Sequence, residues 1–314
     1  MVPVPRVRSR LSAALALAVL ACALLVAAPA GGSAGAAARP FRAEVRHAEV
    51  GGTRIAWYER GQGPPLVMAI GTGSTMAEWD PALLRLLARH HRLVLFDYPG
   101  IGRSGPWRGR PSFDSLADYT AGLMTAIGIS RADVLGWSMG GFVAQRLAIA
   151  HPDRVAHLIL AGTNPGGSHA VLGNEHFQEV DSDPDPSEAQ ILRELYPRGR
   201  QGQGRAFLRR LESASQSGEI PDDFAVAAAT VARQVAAEDP WLRSNRNWRQ
   251  LAGVRAPTLA AAGAADPVVP GLNLRRIAAR VPGARFQRFA GAHAFLFQER
   301  ARFSRAVERF LGRG

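Results

Sequence analysis

Gly136-Trp137-Ser138-Met139-Gly140-Gly141 lies between an apolar run, Asp133 to Trp137, and a helical pattern, Gly140 to Ala150. A serine with a glycine two residues away on each side, between strand and helix, marks a sharp turn that lifts the hydroxyl above a sheet. Small residues at 136 and 140 let strand and helix approach each other within that turn. The Met139 amide then lies at a helix N-terminus, where free N–H groups and the helix dipole favour negative charge. A raised hydroxyl beside such an amide is the equipment of a nucleophilic serine. Trp137 either lines a pocket or packs under the turn.

Outward from this turn, short apolar runs alternate with helical patterns. Val45 to Val50 and Thr53 to Glu59 predict a hairpin around Gly51-Gly52. Pro65 to Ile70, Arg92 to Tyr98, Val155 to Gly162, Pro257 to Ala262 and Ala284 to Phe289 predict further strands. Helices are predicted over Met76 to His90, Phe113 to Ile127, Leu272 to Val281 and Phe295 to Leu311. His90 and His91 are expected to cap the first of these. This alternation implies an α/β fold, a mostly parallel twisted sheet with helices on both faces. Across 164–247 the signals turn helical and irregular. That block reads as an inserted, mainly helical cap, leaving 41–163 and 248–314 as the core. It holds an acidic run (Asp181, Asp183, Asp185), His169 and His176, and an arginine-rich stretch from Arg198 to Arg210 that reads as solvated surface.

The chain resembles the α/β-hydrolase family over residues ~45–312. Asp97-Tyr98-Pro99-Gly100-Ile101-Gly102-Arg103-Ser104 is similar to the turn after the family's fourth strand. Gly71-Thr72-Gly73 before Trp79 is similar to its oxyanion loop, although Ile70-Gly71 replaces the frequent His-Gly. The resemblance assigns one oxyanion donor to the Thr72 amide, which joins the Met139 amide at the helix N-terminus; the Thr72 hydroxyl is a candidate for a further donor. Asp266 in Gly263-Ala264-Ala265-Asp266-Pro267 matches the family's acid. His293 in Gly291-Ala292-His293-Ala294-Phe295 matches its base. Some relatives carry the acid after the sixth strand, but Thr163-Asn164 stands there and cannot serve. The order Ser138, Asp266, His293 is that of the family. Gly71 and Trp137 are the candidates for substrate contact. The resemblance implies no cofactor, and the histidines show no metal-ligand spacing with acids.

The N-terminus reads as an address. Arg6, Arg8 and Arg10 precede an apolar stretch from Leu11 to Ala28, and Ala28-Pro29-Ala30 offers a small-residue cleavage site. Residues 1–30 are expected to be a signal peptide and 31–40 a flexible linker. An uncleaved anchor, or a lipoprotein modified at Cys22, stays open. That lone cysteine excludes an intramolecular disulfide framework. All 38 basic residues are arginine, and the net charge is +12. The arginines are interleaved with acids and accompany no nucleic-acid-reading motif, so nucleic acid is not an expected partner.

These signs point to an exported serine hydrolase that cleaves an ester of a small or medium acyl substrate, with amide bonds left open. A serine nucleophile disfavours dehalogenases and epoxide hydrolases of this fold, which use aspartate there. A cofactor-free perhydrolase or haloperoxidase, a carbon–carbon bond hydrolase, an aminopeptidase and a slow-turnover ligand-binding protein remain alternatives.

Overall fold

The apolar runs form strands in a computed structural model that describes residues 40–174 and 187–312. The expected export segment, the linker up to Arg39, Cys22, His176 and the acidic run Asp181, Asp183 and Asp185 lie outside those residues. The strands are β1 (Arg46–Val50), β2 (Thr53–Arg60), β3 (Pro65–Ala69), β4 (Arg92–Phe96), β5 (Ala132–Trp137), β6 (Val155–Ala161), β7 (Thr258–Gly263) and β8 (Arg285–Phe289). They make one sheet in the order β1-β2-β4-β3-β5-β6-β7-β8. Only β1 and β2 pair antiparallel to their neighbours. Their hairpin turns through Gly51 and Gly52, whose φ of 55° and 73° suit a two-residue turn of this hand. β5 and β7 are buried along their whole length, as continuous apolar runs require in a covered parallel sheet.

The helices around the sheet are α1 (Pro81–Leu87), α2 (Phe113–Ala126), α3 (Met139–Ala150), α8 (Leu272–Arg280), α9 (Phe295–Gln298) and α10 (Arg300–Phe310). Between β6 and β7 run α4 (Glu188–Leu195), α5 (Gln201–Gln216), α6 (Ala228–Arg243) and α7 (Arg246–Gln250). α1 packs against α10, and α2 against α3. No helix of the described residues is long and apolar enough to cross a membrane.

Two segments differ from the sequence-based expectation. Met76 to His90 is not one helix: a single 3-10 turn, Met76–Glu78, precedes α1. The chain is extended at Trp79, and each piece starts with its own N-cap. Thr75 and Glu78 form a capping box, and the Asp80 carboxylate accepts the Ala82 N–H at 2.7 Å. His91 does not cap α1. It is buried, with Nε2 3.0 Å from Glu308 on α10. The expected C-terminal helix divides at Glu299 (φ −100°, ψ 30°), which frees α9 to bury Phe295, Leu296 and Phe297. The arginine-rich stretch is exposed at Arg198, Arg200, Arg205 and Arg209, but Arg210 reaches back to the buried Asp80.

The chain leaves β3 toward β4 on one side and returns to β5 on the other. The loops after β3 and β5 therefore part and open a crevice at the carboxyl ends of the strands. Asp97, just after β4, braces one wall. Its carboxylate accepts N–H bonds from Met76 (2.8 Å) and Arg103 (3.0 Å). Burial pushes Asp97 up to about 7, opposed by those two bonds. Burial likewise pushes Glu78 up to about 8, opposed by hydrogen bonds from Thr75 and Ser74.

Both folded-state values lie above those of the unfolded chain. These groups therefore favour folding at acid pH, and the contribution is lost as pH rises through 7 to 8. Glu78→Gln keeps an acceptor for the Thr75 amide but cannot ionise. Thermal melts of this variant should fall less between about pH 5 and about pH 8.5 than those of wild type. Equal falls would remove Glu78 as a source of the dependence.

Candidate active site

Ser138 is the one non-glycine residue with positive φ among the described residues (φ 56°, ψ −125°). Such a conformation costs on the order of 1–3 kcal/mol and persists only where its surroundings enforce it. The enforcement is steric. A Cβ at Gly136 would lie 2.3 Å from the Gly140 carbonyl oxygen, and one at Gly140 would lie 2.0 Å from that of Ala69. α3 begins at Met139, and no side chain of Ser138 caps it. The Met139 amide is thus the first of the helix's N-terminal donors, beside the serine.

His293 and Asp266 come together across 27 residues of sequence. His293 Nδ1 stands 2.9 Å from Asp266 Oδ2, and both residues are buried. Asp266 Oδ1 accepts the amides of Val268 (3.0 Å) and Val269 (2.9 Å), so the carboxylate is fixed before it meets the imidazole. Nδ1 therefore carries the proton, and Nε2 is left as the acceptor nitrogen. Gly162 makes room: a Cβ there would lie 3.3 Å from His293 and 3.5 Å from Asp266. Gly162 directly follows Ala161, whose carbonyl accepts the Ser138 N–H at 3.0 Å. The imidazole thus lies over the strand end next to the serine. The loop carrying it is fastened by Gln298, which accepts the Ala292 amide at 2.9 Å.

Trp137 donates from Nε1 to the His293 carbonyl at 3.1 Å, and its ring packs 5.4 Å from the imidazole and 5.0 Å from Phe297. It packs under the turn and supports the histidine loop. Gly71 lies against the elbow, where a Cβ would be 3.3 Å from that of Ser138. Thr72 follows, half-buried. Its hydroxyl donates to Glu238 Oε1 at 3.1 Å, so it is committed there and is not the extra oxyanion donor expected from sequence. At the alternative acid position, Asn164 Oδ1 accepts from Gly166 and Trp241. His169 stacks on Trp248 at 4.1 Å.

Residues 64–301 match the family described as alpha/beta hydrolase fold. The chain belongs to that family. It is an enzyme of the hydrolase class. A protein of Azorhizobium caulinodans named "Putative carbamate hydrolase RutD" is 30% identical over 78% of this chain and 90% of its own length. A poly(3-hydroxyalkanoate) depolymerase of Ectopseudomonas oleovorans is 26% identical over 79% of this chain and 84% of its own. An alpha/beta hydrolase fold protein from Chitinophaga pinensis superposes with a TM-score of 0.74 at 24% identity, covering 86% of this chain and 97% of that one.

Sequence reasoning within this family quoted Gly141 in the elbow without giving it a role, and missed Gly162, Gln298, Gln234 and Glu238. The two glycines carried a signal in their position, each next to an elbow or a strand end. Gln234 and Glu238 carried none, because their partners lie 161 and 166 residues away, and Gln298 closes a six-residue loop onto Ala292 that helical periodicity does not report. Gly140→Ala drives a methyl into backbone oxygens that cannot move aside. It should cost at least about 3 kcal/mol and leave little soluble protein. Gly202, inside α5 with nothing within 4 Å of its Cβ position, is the control. Gly202→Ala should raise stability by up to about 1 kcal/mol in denaturant unfolding.

Proposed function

We propose that this enzyme is an exported serine hydrolase that cleaves carboxylic esters through a covalent acyl-enzyme. The observation that carries the reading is the buried His293–Asp266 pair, with its carboxylate pre-fixed by two amides, beside a serine in an enforced strained turn. The names of the two sequence relatives, a carbamate hydrolase and a polyester depolymerase, add support. Both substrates present an acyl carbonyl carrying a heteroatom leaving group.

The steps follow from the groups present. Ser138 Oγ attacks the acyl carbon while its proton passes to His293 Nε2. The carbonyl electron pair moves onto oxygen, which is held by the amides of Met139 and Thr72. Asp266 stabilises the imidazolium and keeps the ring in one tautomer. Collapse breaks the bond to the alcohol, which leaves with the proton from Nε2. Water then repeats the sequence on the acyl-enzyme. Gly71 contacts the bound acyl group, and α4 to α7 form the cap over it. Arg6, Arg8 and Arg10 before the apolar stretch support export, with cleavage after Ala30.

A fluorophosphonate probe should label wild type rapidly and label neither Ser138→Ala nor His293→Ala. Asp266→Asn should keep the fold and lower kcat toward p-nitrophenyl esters by about 10⁴-fold. Labelling that survives Ser138→Ala would show that another nucleophile acts. For the export reading, N-terminal sequencing of protein secreted by a bacterial host should begin at Gly31. An intact N-terminus would reject the cleavage.

A further inference from the structure

The segment Gly71-Thr72-Gly73 has no regular structure, and Gly73 adopts a φ of 64°. Two glycines around one threonine give this loop wide conformational freedom. A donor that must be aimed at a developing oxyanion cannot be left on a loose loop, because misplacement by about 1 Å costs about 10²-fold in rate. Something outside the loop has to hold it.

Two side chains of α6 do so. Gln234 Oε1 accepts the Gly73 N–H at 2.7 Å, and Glu238 Oε1 accepts the Thr72 hydroxyl at 3.1 Å. The two residues are four apart and so share one face of the helix. Their acceptors take hold of consecutive residues of the loop. From the inner side, the Tyr98 hydroxyl donates to the Ile70 carbonyl at 3.3 Å, so the loop is fixed at both of its ends. Gln234 is fully buried, and its Nε2 has no partner among the described residues. A buried amide with an unmet donor costs stability that an apolar side chain would not. Packing alone therefore does not account for glutamine at 234, whereas the contact with Gly73 does.

We propose that Gln234 and Glu238 are positioning residues that aim the Thr72 amide at the oxyanion. The proposal rests on the serine mechanism above and adds a dependence to it. α6 belongs to the helical block between β6 and β7, so the oxyanion site is complete only when that helix is docked. Neither residue touches the reacting atoms.

The test uses the mature chain, p-nitrophenyl butyrate as substrate and the fluorophosphonate probe to count active sites. Gln234→Leu and Glu238→Ala should each lower kcat per titrated site by about 10- to 100-fold. KM should stay within about twofold of wild type, since ground-state binding is not what these residues serve. Glu238→Gln, which keeps an oxygen acceptor for the Thr72 hydroxyl, should recover most of the loss seen in Glu238→Ala. A purely structural role would instead lower the number of titrated sites and leave kcat per site unchanged. That result, or a loss confined to KM, would overturn the proposal. Should Gln234→Leu fail to fold, the half-buried Glu238 pair of variants decides alone. A wild type that the probe does not label rejects the serine mechanism itself, a failure separate from that of the clamp.

Discussion

The close approach of α3 to β3 and β5 is the constraint on which the rest of this site depends. Gly136 and Gly140 remove the side chains that would keep strand and helix apart, and a Cβ at Gly141 would likewise collide with Thr163. With those three methyl groups absent, the helix enters directly over the strand ends. The one residue between strand and helix, Ser138, is then forced into a conformation that L-residues avoid. The strain is not a local choice of the serine. It is imposed by backbone atoms of Ala69, Ile70 and Gly140 that pack against one another.

The second layer of organisation is polar and long-range. Asp266 is oriented by the amides that follow it, and only then meets the imidazole of His293. The helical block between β6 and β7 is tied to the sheet-bearing part by similar bonds. Arg210 reaches the buried Asp80, and Asn247 donates to Gln145 and to the Pro165 carbonyl. Arg146 bridges Asp114 on α2 and Gln250 on α7. Each of these bonds has at least one buried partner, where a broken hydrogen bond is costlier than on the surface. They fix the block in one place relative to the crevice.

Where expectation and structure part, the cause lies in capping and in contacts beyond the local window. The periodicity of Met76 to His90 is helical throughout, but Asp80-Pro81 starts a new helix with its own N-cap. The periodicity from Phe295 to Leu311 is continuous as well, yet the chain must bend at Glu299 to seat three aromatic or aliphatic side chains beneath the histidine loop. His91 looked like a helix cap because its partner, Glu308, lies 217 residues away. Apolar periodicity reports which face is buried, not where a helix must stop.

The sequence by itself determined the strand-turn-helix around Ser138, the alternation that builds a parallel sheet, and the order of Ser138, Asp266 and His293. Those features follow from local rules: glycine where a methyl cannot fit, apolar runs where both faces are covered, and motifs read in the order the chain presents them. Only the tertiary structure decided the partners. It set His293 against Asp266 with Gly162 beneath them, turned Trp137 toward the histidine loop, and laid Gln234 and Glu238 on Gly73 and Thr72. Hydrogen bonds are directional and short, so pairs separated by 27 to 166 residues leave no periodic trace in the chain. The fold has to close before such partners exist.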